Sequence, residues 1–407
     1  MKKVLTLFLV LCVAAALVWI AVFSWNNLRG IGPALRKPSR VISHFIERVE
    51  ASDNTADAPL RLPPGFSISL FAKGLGEPRV MVSDPSGTML VSIPSQGRVV
   101  ALPDTDRDGV ADRIVTVIRG LNRPHGMALR CAPSCKLYVA EEHEVNVYSY
   151  DGKDFLAKKE KKIADLPQGS GHSTRTLLFL PGFSEDQLLI SVGSSCNVCS
   201  EKDSRRAKVL IVPAEGGNLG VFASGLRNAV FMAVHPKTKR VWVTEMGRDL
   251  LGDDTPPDEI NIIDQGRDYG WPFCFGKNVH DDDFDPEGNH VCRQPATVPS
   301  YIDIPAHSAP LGLAFFPEEG WPKEFRNNLL VSFHGSWNRS SPTGNKIVRY
   351  RMDREGRYLG VKDFVSGWLT ANGISLGRPV DIMIRPDGVI FVSDDKAGVI
   401  YRIVRKK

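Results

Sequence analysis

His172 and Arg175 stand three residues apart, immediately before a run of apolar residues in this 407-residue chain. An imidazole on a loop can act as a general base near neutral pH. A lone histidine of this kind is more often an ordinary surface residue. Here, however, other polar strings stand at the same position relative to other apolar runs, namely GLRN (Gly225–Asn228), EMGRD (Glu245–Asp249), HGSWNR (His334–Arg339) and GRPVD (Gly377–Asp381).

These polar strings contain arginine. Several guanidinium groups that meet in one cavity predict a multiply anionic ligand, because an unpaired cluster of like charges repels itself. The alternative is that each arginine pairs with an aspartate or glutamate nearby. The strings therefore favour an anion-binding cavity beside His172 and leave the pairing of each arginine open.

An acidic segment with calcium-loop spacing begins at residue 104. Its carboxylates stand at positions one, three, five and nine, and Gly109 at position six permits a sharp turn, which resembles the first part of a calcium-binding loop. Val115 occupies the twelfth position, where an acid is usual. The segment predicts either a structural calcium or a solvated acidic turn, and the residues concerned are Asp104, Asp106, Asp108 and Asp112.

Six copies of one short pattern must position these residues. Each copy consists of a strand-like apolar run, a turn rich in Pro, Asp or Gly, and a second strand-like run. One hairpin cannot bury its apolar face alone, so copies at intervals of roughly fifty residues are expected to pack radially, as propeller blades do. The copies begin at Pro78, Pro124, Arg175, Asn228, Pro310 and Pro379.

This pattern predicts an all-β fold, a six-bladed β-propeller over residues 61–407 with an N-terminal membrane-anchor helix. Residues 26–60 are expected to be a linker, because they combine Gly, Pro, Ser, Asp and Asn with scattered charge. Apolar residues at helical spacing predict a short helix over Ser39–Val49 within it.

The N-terminal 25 residues favour a membrane anchor. After Lys2 and Lys3, the run Val4–Trp25 carries no charge and is long enough to cross a bilayer as a helix. A cleaved signal peptide is the alternative, since such peptides have shorter apolar regions and a small-residue cleavage site. Either way, the propeller is expected in the periplasm or outside the cell, anchored to the cytoplasmic membrane when the helix is retained.

Cysteine usage agrees with export. Cys12 lies in the apolar run, and the other six cysteines form three pairs that are close in sequence. No histidine follows Cys199 as in haem attachment, and no second CxxC completes a zinc site, so disulfides are favoured over redox or metal chemistry. The pairs are Cys131 with Cys135, Cys196 with Cys199, and Cys274 with Cys292.

Charge excludes one class of partner. The chain has 51 basic and 46 acidic residues, a net charge of +5 that is dispersed along the sequence. A nucleic-acid-binding surface requires a stronger and more concentrated basic character. We therefore expect no nucleic-acid partner.

Longer strings resemble a known family. HSTR, GLRN, HGSWNR and GRPVDI, together with DEINIIDQGRDYGWPFC (Asp258–Cys274) and VSDDKAGVIYRI (Val392–Ile403), are similar to the pyrroloquinoline-quinone-dependent sugar dehydrogenases. The closest resemblance is to the soluble aldose sugar dehydrogenase and sorbosone dehydrogenase branch, and it extends from about Leu60 to the C-terminus. The resemblance implies pyrroloquinoline quinone and Ca²⁺ as cofactors, and oxidation of a sugar or aldehyde by hydride transfer to the quinone.

The resemblance also implies residue roles. His172 matches the family's general base, and Arg227 matches a catalytic residue that contacts the quinone oxygens together with Asn228. The backbone carbonyls of Gly247 and Arg248 match those that bind the calcium. The remaining cofactor contacts implied are Arg378 and Asp394, with His334 or Arg339 in place of the family's cofactor-binding lysine.

The sequence departs from the family pattern at two further positions. Met246 stands where the better-known branch has an amide side chain, and Val380 stands where that branch has a second cofactor-binding arginine. The resemblance therefore predicts fewer cationic side chains that could pair with the carboxylates of the cofactor.

We expect an exported oxidoreductase that passes electrons to a separate acceptor, a cytochrome or a quinone, because the chain has no c-type haem motif. Two other functions are compatible with a propeller: a calcium-dependent lactonase or related hydrolase, and a non-enzymatic binding module. A hydrolase would need acidic or amide side chains at the axis, and a binding module would not require His172.

Overall fold

The structure of the chain, a computed structural model, describes residues 2–35, 60–169, 171–182 and 186–406. The helix expected over Ser39–Val49, and residues 36–59 of the predicted linker, lie outside the described residues.

Among the described residues, two helices precede the propeller. Helix α1 (Lys2–Asn27) is followed by the single turn α2 (Gly32–Leu35). Within α1, Leu5–Asn27 is long and apolar enough to cross a membrane, a test that a signal sequence also passes. The apolar 18-residue stretch of this span contains no buried residue, whereas Asn27 at its end is buried.

Six antiparallel sheets form the blades of a β-propeller, which confirms the predicted fold class. The first strand after the helices is β1 (Phe66–Ala72). Blade 1 consists of β2 (Met81–Ser83), β3 (Met89–Ile93), β4 (Arg98–Leu102) and β5 (Val115–Arg119), with a short 3-10 helix at Pro94–Gln96. Blade 2 consists of β6 (Met127–Cys131), β7 (Cys135–Ala140), β8 (Glu144–Asp151) and β9 (Leu156–Asp165). Blade 3 consists of β10 (Leu177–Leu180), β11 (Gln187–Val192), β12 (Lys208–Pro213) and β13 (Gly220–Ser224).

The second half of the ring contains the long insertion. Blade 4 begins with β14 (Ala229–Val234), β15 (Val241–Glu245) and β16 (Asp258–Ile263). The insertion carries β17 (Arg267–Asp268), β18 (Cys274–Phe275) and β19 (Val279–His280), and β20 (Ile302–Ile304) then completes blade 4. Blade 5 consists of β21 (Pro310–Phe315), β22 (Leu329–Phe333), β23 (Lys346–Met352) and β24 (Tyr358–Val365). Blade 6 consists of β25 (Pro379–Ile384), β26 (Val389–Asp394), β27 (Val399–Arg405) and β1.

Closure of the ring joins the two ends of the propeller. Strand β1 pairs antiparallel with β27, and Phe66 lies opposite Arg405. The last blade is therefore completed by the first strand of the domain. Pairing of this kind leaves no gap in the ring through which the fold could open.

The blades bury both faces of their inner strands. Strands β3, β15, β22 and β26 are buried at every residue, because each blade packs against a neighbour on either side. The outermost strands β9 and β24 are mostly exposed instead, and β9 carries five residues of lysine or glutamate in the run KKEKK. Charge on such edge strands discourages pairing with another chain.

The antiparallel order determines which loops share a face. In each blade, the segment before the first strand and the loop after the second strand lie at one end of the sheet, which we call the site face. The loops that join the first strand to the second, and the third strand to the fourth, lie at the other end, the opposite face. The polar strings HSTR, GLRN, EMGRD, HGSWNR and GRPVD all lie on the site face. The acidic segment that begins at Asp104 lies on the opposite face.

All three predicted disulfides are present in the structure, and Cys12 is free. Cys131–Cys135 closes the turn between β6 and β7 on the opposite face. Cys196–Cys199 closes a small loop after β11 on the site face, and Cys274–Cys292 closes the insertion of blade 4. Because Cys196 and Cys199 are bonded to each other, their thiols are not available as metal ligands.

Candidate active site

The predicted site residues lie on loops of one face. His172 precedes β10, Arg227 and Asn228 precede β14, and Arg378 precedes β25. His334 follows β22. Since the first strands surround the axis, these side chains are grouped at one mouth of the propeller. Below this mouth, the first strands enclose a cavity of about 380 Å³ lined mainly by apolar side chains such as those of Met127, Phe231 and Leu313.

His172 is held as a neutral base. Its Nδ1 lies 3.1 Å from the carbonyl oxygen of Ser194, which only accepts hydrogen bonds, so Nδ1 carries the proton and Nε2 keeps its lone pair. Burial, reinforced by the positive charge of Arg227, lowers the pKa of His172 to about 3. The imidazole is therefore unprotonated at neutral pH.

Arg227 is fixed by the small disulfide loop. Its Nε donates to the carbonyl oxygen of Asn197 at 2.8 Å, and its Nη2 donates to Asn197 Oδ1 at 3.0 Å and to Asp249 Oδ2 at 2.9 Å. Asn197 is fixed in turn, because its side chain donates to the backbone oxygen of Asp249 and accepts from the N–H of Asp249. These contacts orient the guanidinium and neutralise part of its charge.

A close backbone approach brings His172 and Asn228 together. A Cβ placed on Gly193 would lie 2.6 Å from Asn228 Oδ1 and 2.6 Å from the Cβ of His172. Only glycine leaves room for both side chains at this point. The N–H of Asn228 donates to Glu245 at 2.9 Å, and its Nδ2 contacts the sulfur of Met246 at 3.5 Å.

A second group of charged residues lies in blades 5, 6 and 1. Asp395 accepts from His334 Nε2 at 2.9 Å and from Arg79 Nη1 at 2.6 Å. Arg378 donates its Nε to the carbonyl oxygen of His334 at 2.9 Å and its Nη2 to that of Gly335 at 2.5 Å. Burial and the charge of Arg378 lower the pKa of His334 to about 4 in spite of Asp395, and the neighbouring cations hold the pKa of Asp395 well below its usual range.

The two groups are linked through blade 2. Arg175 donates to the carbonyl oxygen of His172 at 2.9 Å, and its own carbonyl oxygen lies 3.1 Å from Nδ1 of the buried His125. Burial and the charge of Arg79 lower the pKa of His125 to about 3. Hydrogen bonds thus join His172, Arg175 and His125, and the charge of Arg79 acts on His125 from the other group.

Three residues of the mouth were not predicted from the sequence, namely Arg79, His125 and Asp395. The signal was present, because Arg79 and His125 precede the first strands of blades 1 and 2 as Arg378 precedes that of blade 6. Asp395 directly follows the predicted Asp394.

Two predicted arginines take other partners. Arg248 donates to both oxygens of Asp281, at 2.8 and 2.6 Å, and belongs to the insertion of blade 4. Arg339 donates to the backbone oxygen of Asp253 and to Oδ1 of Asp254. Neither guanidinium contacts His172, Arg227 or Arg378 among the described residues, so a cofactor contact by Arg339 stays a prediction.

Buried carboxylates at the mouth support the backbone of the site. Asp394 accepts the N–H of Arg378 at 2.8 Å, and Asp258 accepts those of Gly247 and Ala309, each at 2.9 Å. Burial raises the pKa of Asp258 and of Asp394 to about 7. These carboxylates hold the backbone of the loops in place.

The donors of the mouth fit an anionic redox cofactor. Arg378 has only carbonyl oxygens as direct acceptors, and Nε2 of the fully buried His125 has no hydrogen-bond partner among the described residues. A guanidinium that lacks a direct carboxylate partner suits a carboxylate of pyrroloquinoline quinone, whereas Nε2 of the neutral His125 keeps a lone pair, because Nδ1 donates to the carbonyl oxygen of Arg175. Arg227, Asn228, His334 and Arg378 are the residues that would hold it.

The residues around Gly247 and Arg248 fit a calcium ion less well than the cations of the mouth fit the anionic cofactor. Besides the carbonyls of Gly247 and Arg248, the adjoining side chain is the thioether of Met246, a poor ligand for a hard cation. The carbonyl oxygen of Met246 also accepts from Arg227 at 3.3 Å. Calcium binding by Gly247 and Arg248 stays a prediction.

The acidic segment lies away from this site, between β4 and β5 on the opposite face. Asp104, Asp106 and Asp108 bring carboxylate oxygens within 4.8 Å of one another, whereas Asp112 accepts from the hydroxyl and N–H of Thr105. A structural calcium in this loop also stays a prediction, and it would be separate from the chemistry at the mouth.

Comparison with known proteins identifies the family. A model of the TrAA12-like family matches residues 60–406. The chain belongs to this family. The resemblance to quinone-dependent sugar dehydrogenases that the sequence strings indicated is thereby confirmed.

Relatives of known sequence span most of the chain. An uncharacterised protein of Borreliella burgdorferi is 31% identical over 373 residues, which cover 89% of this chain and 95% of that protein. A pyrroloquinoline quinone-dependent pyranose dehydrogenase of Coprinopsis cinerea is 24% identical over 84% of this chain, and the match covers 54% of that longer enzyme.

Solved structures share the fold. The calcium structure of a Trichoderma reesei carbohydrate-active enzyme of family AA12 superposes with a TM-score of 0.72 at 21% identity, covering 88% of this chain and 99% of that one. The holo form of the pyranose dehydrogenase domain of Coprinopsis cinerea superposes with a TM-score of 0.70 at 20% identity, covering 85% of this chain and 97% of that one.

Proposed function

We propose that this protein oxidises a sugar or a related aldehyde by hydride transfer to pyrroloquinoline quinone, with His172 as the general base. The observation that carries the proposal is the contact of His172 with Ser194: Nδ1 lies 3.1 Å from the carbonyl oxygen of Ser194 and is assigned the proton, so Nε2 keeps its lone pair. The pyranose dehydrogenase activity of the Coprinopsis relative supports the same reaction class.

When bound, the quinone accepts the hydride that leaves the carbon being oxidised. His172 Nε2 takes the proton of the hydroxyl on that carbon, and the carbonyl oxygen of Ser194 stabilises the imidazolium that forms. Arg227, fixed by Asn197 and Asp249, places positive charge where oxygen becomes negative during the transfer. The site supports a class of substrate, a sugar or an aldehyde, and no single compound within that class.

Binding and chemistry are assigned to different side chains. Arg378, which has no carboxylate among its direct hydrogen-bond acceptors in the described part of the chain, is assigned to a carboxylate of the cofactor, and His334 is assigned to the same region through its contact with the Arg378 side chain. The buried carboxylates of Asp258 and Asp394 accept backbone N–H groups, and this structural role supports dehydrogenation over metal-assisted hydrolysis.

The test is reconstitution of the purified full-length protein in detergent with pyrroloquinoline quinone and Ca²⁺. We expect dye reduction with aldoses, sorbosone or simple aldehydes, and loss of turnover with retained cofactor binding in His172→Asn. Cofactor binding is measured separately by quenching of tryptophan fluorescence. Absence of both cofactor binding and turnover with every substrate would overturn the dehydrogenase proposal.

A further inference from the structure

The segment that follows α1 packs on the site face of the propeller. Asn27 is buried, and a Cβ placed on Gly30 would overlap the carbonyl oxygen of Arg339. The Nζ of Lys396 donates to the carbonyl oxygen of Pro33, which is also buried. The chain therefore meets the propeller directly after the end of the apolar helix.

Both docking points belong to the rim of the candidate active site. Arg339 lies in the loop after β22, which also carries His334, and Lys396 lies in the loop after β26, directly after Asp395. Burial and the charge of Arg378 lower the pKa of Lys396 to about 8, which places this ammonium close to the site. The helix thus leaves the propeller from the face that holds the site.

The short connection limits the distance between this rim and a membrane. Gly30 follows Asn27, the last residue of the apolar span, by three residues, and only Leu28 and Arg29 lie between them. An extended chain covers at most about 3.5 Å per residue, so the rim lies within roughly 10 Å of the end of the span.

The side chains around the connection suit a membrane surface. The guanidinium of Arg29 lies 4.8 Å from the ring centroid of Trp25, whose side chain is 65% exposed. Trp337, on the rim loop of blade 5, and Leu35, at the end of α2, are exposed as well. Tryptophan and arginine are typical of the boundary between lipid tails and water.

We propose that the propeller is held with its site face toward the membrane surface, and that the electrons leaving the site pass to a lipid-soluble quinone in the bilayer. A gap of roughly 10 Å is too narrow for a folded carrier protein, since even a 100-residue domain has a radius of gyration of about 13 Å. A small carrier dissolved in the bilayer approaches the rim to within that distance.

The redox balance of this step is complete. Oxidation of a sugar or aldehyde hydrate releases two electrons and two protons, and reduction of the carrier quinone to its quinol takes up two electrons and two protons. This half of the proposal depends on the dehydrogenase activity proposed above, whereas the orientation of the propeller does not.

Orientation is tested without any activity. In the full-length protein carrying Cys12→Ser, one fluorophore is attached at Ser341→Cys or at Glu319→Cys, and the protein is placed in lipid nanodiscs with an acceptor-labelled lipid. Both positions are exposed and belong to blade 5, but Ser341 lies on the rim loop after β22 and Glu319 lies between β21 and β22 on the opposite face. We expect energy transfer to be several-fold stronger from position 341. Equal transfer, stronger transfer from position 319, or failure of the protein to enter nanodiscs would overturn the orientation.

The acceptor is tested with Gly30→Trp, which displaces the docked segment from Arg339, and with Glu319→Trp as a control on the opposite face. In nanodiscs with a lipid-soluble quinone, Gly30→Trp is expected to lower quinone reduction at least fivefold while the rate with a soluble dye is unchanged. Glu319→Trp is expected to leave both rates unchanged. Equal quinone reduction by both variants overturns the acceptor, and loss of dye turnover in the unmodified protein overturns the dehydrogenase function instead.

Discussion

Blades 4 and 6 hold their site residues in the same way but neutralise them differently. In blade 4 the N–H of Asn228 donates to Glu245 at the end of the second strand, and in blade 6 the N–H of Arg378 donates to Asp394 at the equivalent position. The repeat thus uses one buried carboxylate to fix the backbone in both blades.

The counter-charges differ between the two sides of the mouth. Arg227 contacts the carboxylate of Asp249, and the neighbouring His172 contacts no carboxylate among the described residues. On the other side the order is reversed, because His334 contacts Asp395, whereas the acceptors of the Arg378 side chain within the described residues are carbonyl oxygens. An unpaired neutral imidazole suits proton transfer, whereas a cation without a direct carboxylate partner suits an anionic ligand.

Exchange of the two histidines for asparagine tests this division with the largest expected effect. His172→Asn is expected to lower kcat/KM about 10²- to 10⁴-fold at saturating cofactor, because the lost base is used in the chemical step. His334→Asn is expected to weaken cofactor binding and to cost less than tenfold once the cofactor saturates. Dye reduction and fluorescence quenching measure the two properties, and equal losses of turnover at saturation would contradict the assignment.

Removal of the two acidic partners compares the stability of the two sides. Asp395→Asn is expected to lower the free energy of unfolding by about 3–5 kcal/mol, because it leaves Arg79 and His334 buried without their common carboxylate. Asp249→Asn is expected to cost less, about 1–3 kcal/mol, since Arg227 keeps its bonds to Asn197. Urea unfolding of both variants at pH 7 measures the two losses in the free energy of unfolding. A larger loss in Asp249→Asn than in Asp395→Asn would contradict the expected order.

The ring of blades was predictable from the sequence, and the partners within the mouth were not. Each predicted copy coincides with the first two strands of a blade, because a hairpin signature depends on local turns and alternating burial. The pairing of β1 with β27 joins segments more than 300 residues apart, and no local pattern indicates it. Neither strand carries a sequence feature that identifies its partner, so this pairing becomes evident only in the closed ring.

The same limit applies to the charges of the site. The position of Arg378 before a first strand predicts that it reaches the mouth, but not that its acceptors are the carbonyl oxygens of His334 and Gly335. Likewise the position of Arg248 after a second strand predicts that it lies on the site face, but not that Asp281 of the long insertion neutralises it. The folded loops therefore determine which arginines remain available to a ligand.

The disulfide loop beside Arg227 gives a smaller expected effect. Replacing Cys196 and Cys199 by serine frees the loop that holds Asn197, so the guanidinium of Arg227 loses its fixed orientation. We expect cofactor affinity to fall about tenfold, close to 1.4 kcal/mol, with little change in the affinity of the matched variant that lacks Cys131–Cys135 on the opposite face. Fluorescence titration with the cofactor measures both, and equal affinities in the two variants would show that the loop does not position Arg227.

The smallest expected effect concerns the pH dependence of stability. The pKa of His172 lies at about 3 in the folded protein, below the ordinary value of 6.5, so between these values the unfolded chain binds a proton that the folded protein does not. Stability therefore falls as the pH is lowered, by about 0.8 kcal/mol from pH 7.5 to 6.0 for this one group. His172→Asn is expected to remove that share of the decline in urea unfolding.

His280 provides a control of opposite sign. Hydrogen bonds that this half-buried histidine donates to Asp282 and Asp285 raise its pKa, so its contribution is present at low pH and is lost as the pH rises through the folded value. His280→Asn should therefore steepen the loss of stability on acidification, where His172→Asn makes it shallower. If both substitutions changed the slope in the same direction, the neutral, carboxylate-free environment assigned to His172 would be wrong, and with it the reason for placing proton transfer on that side of the mouth.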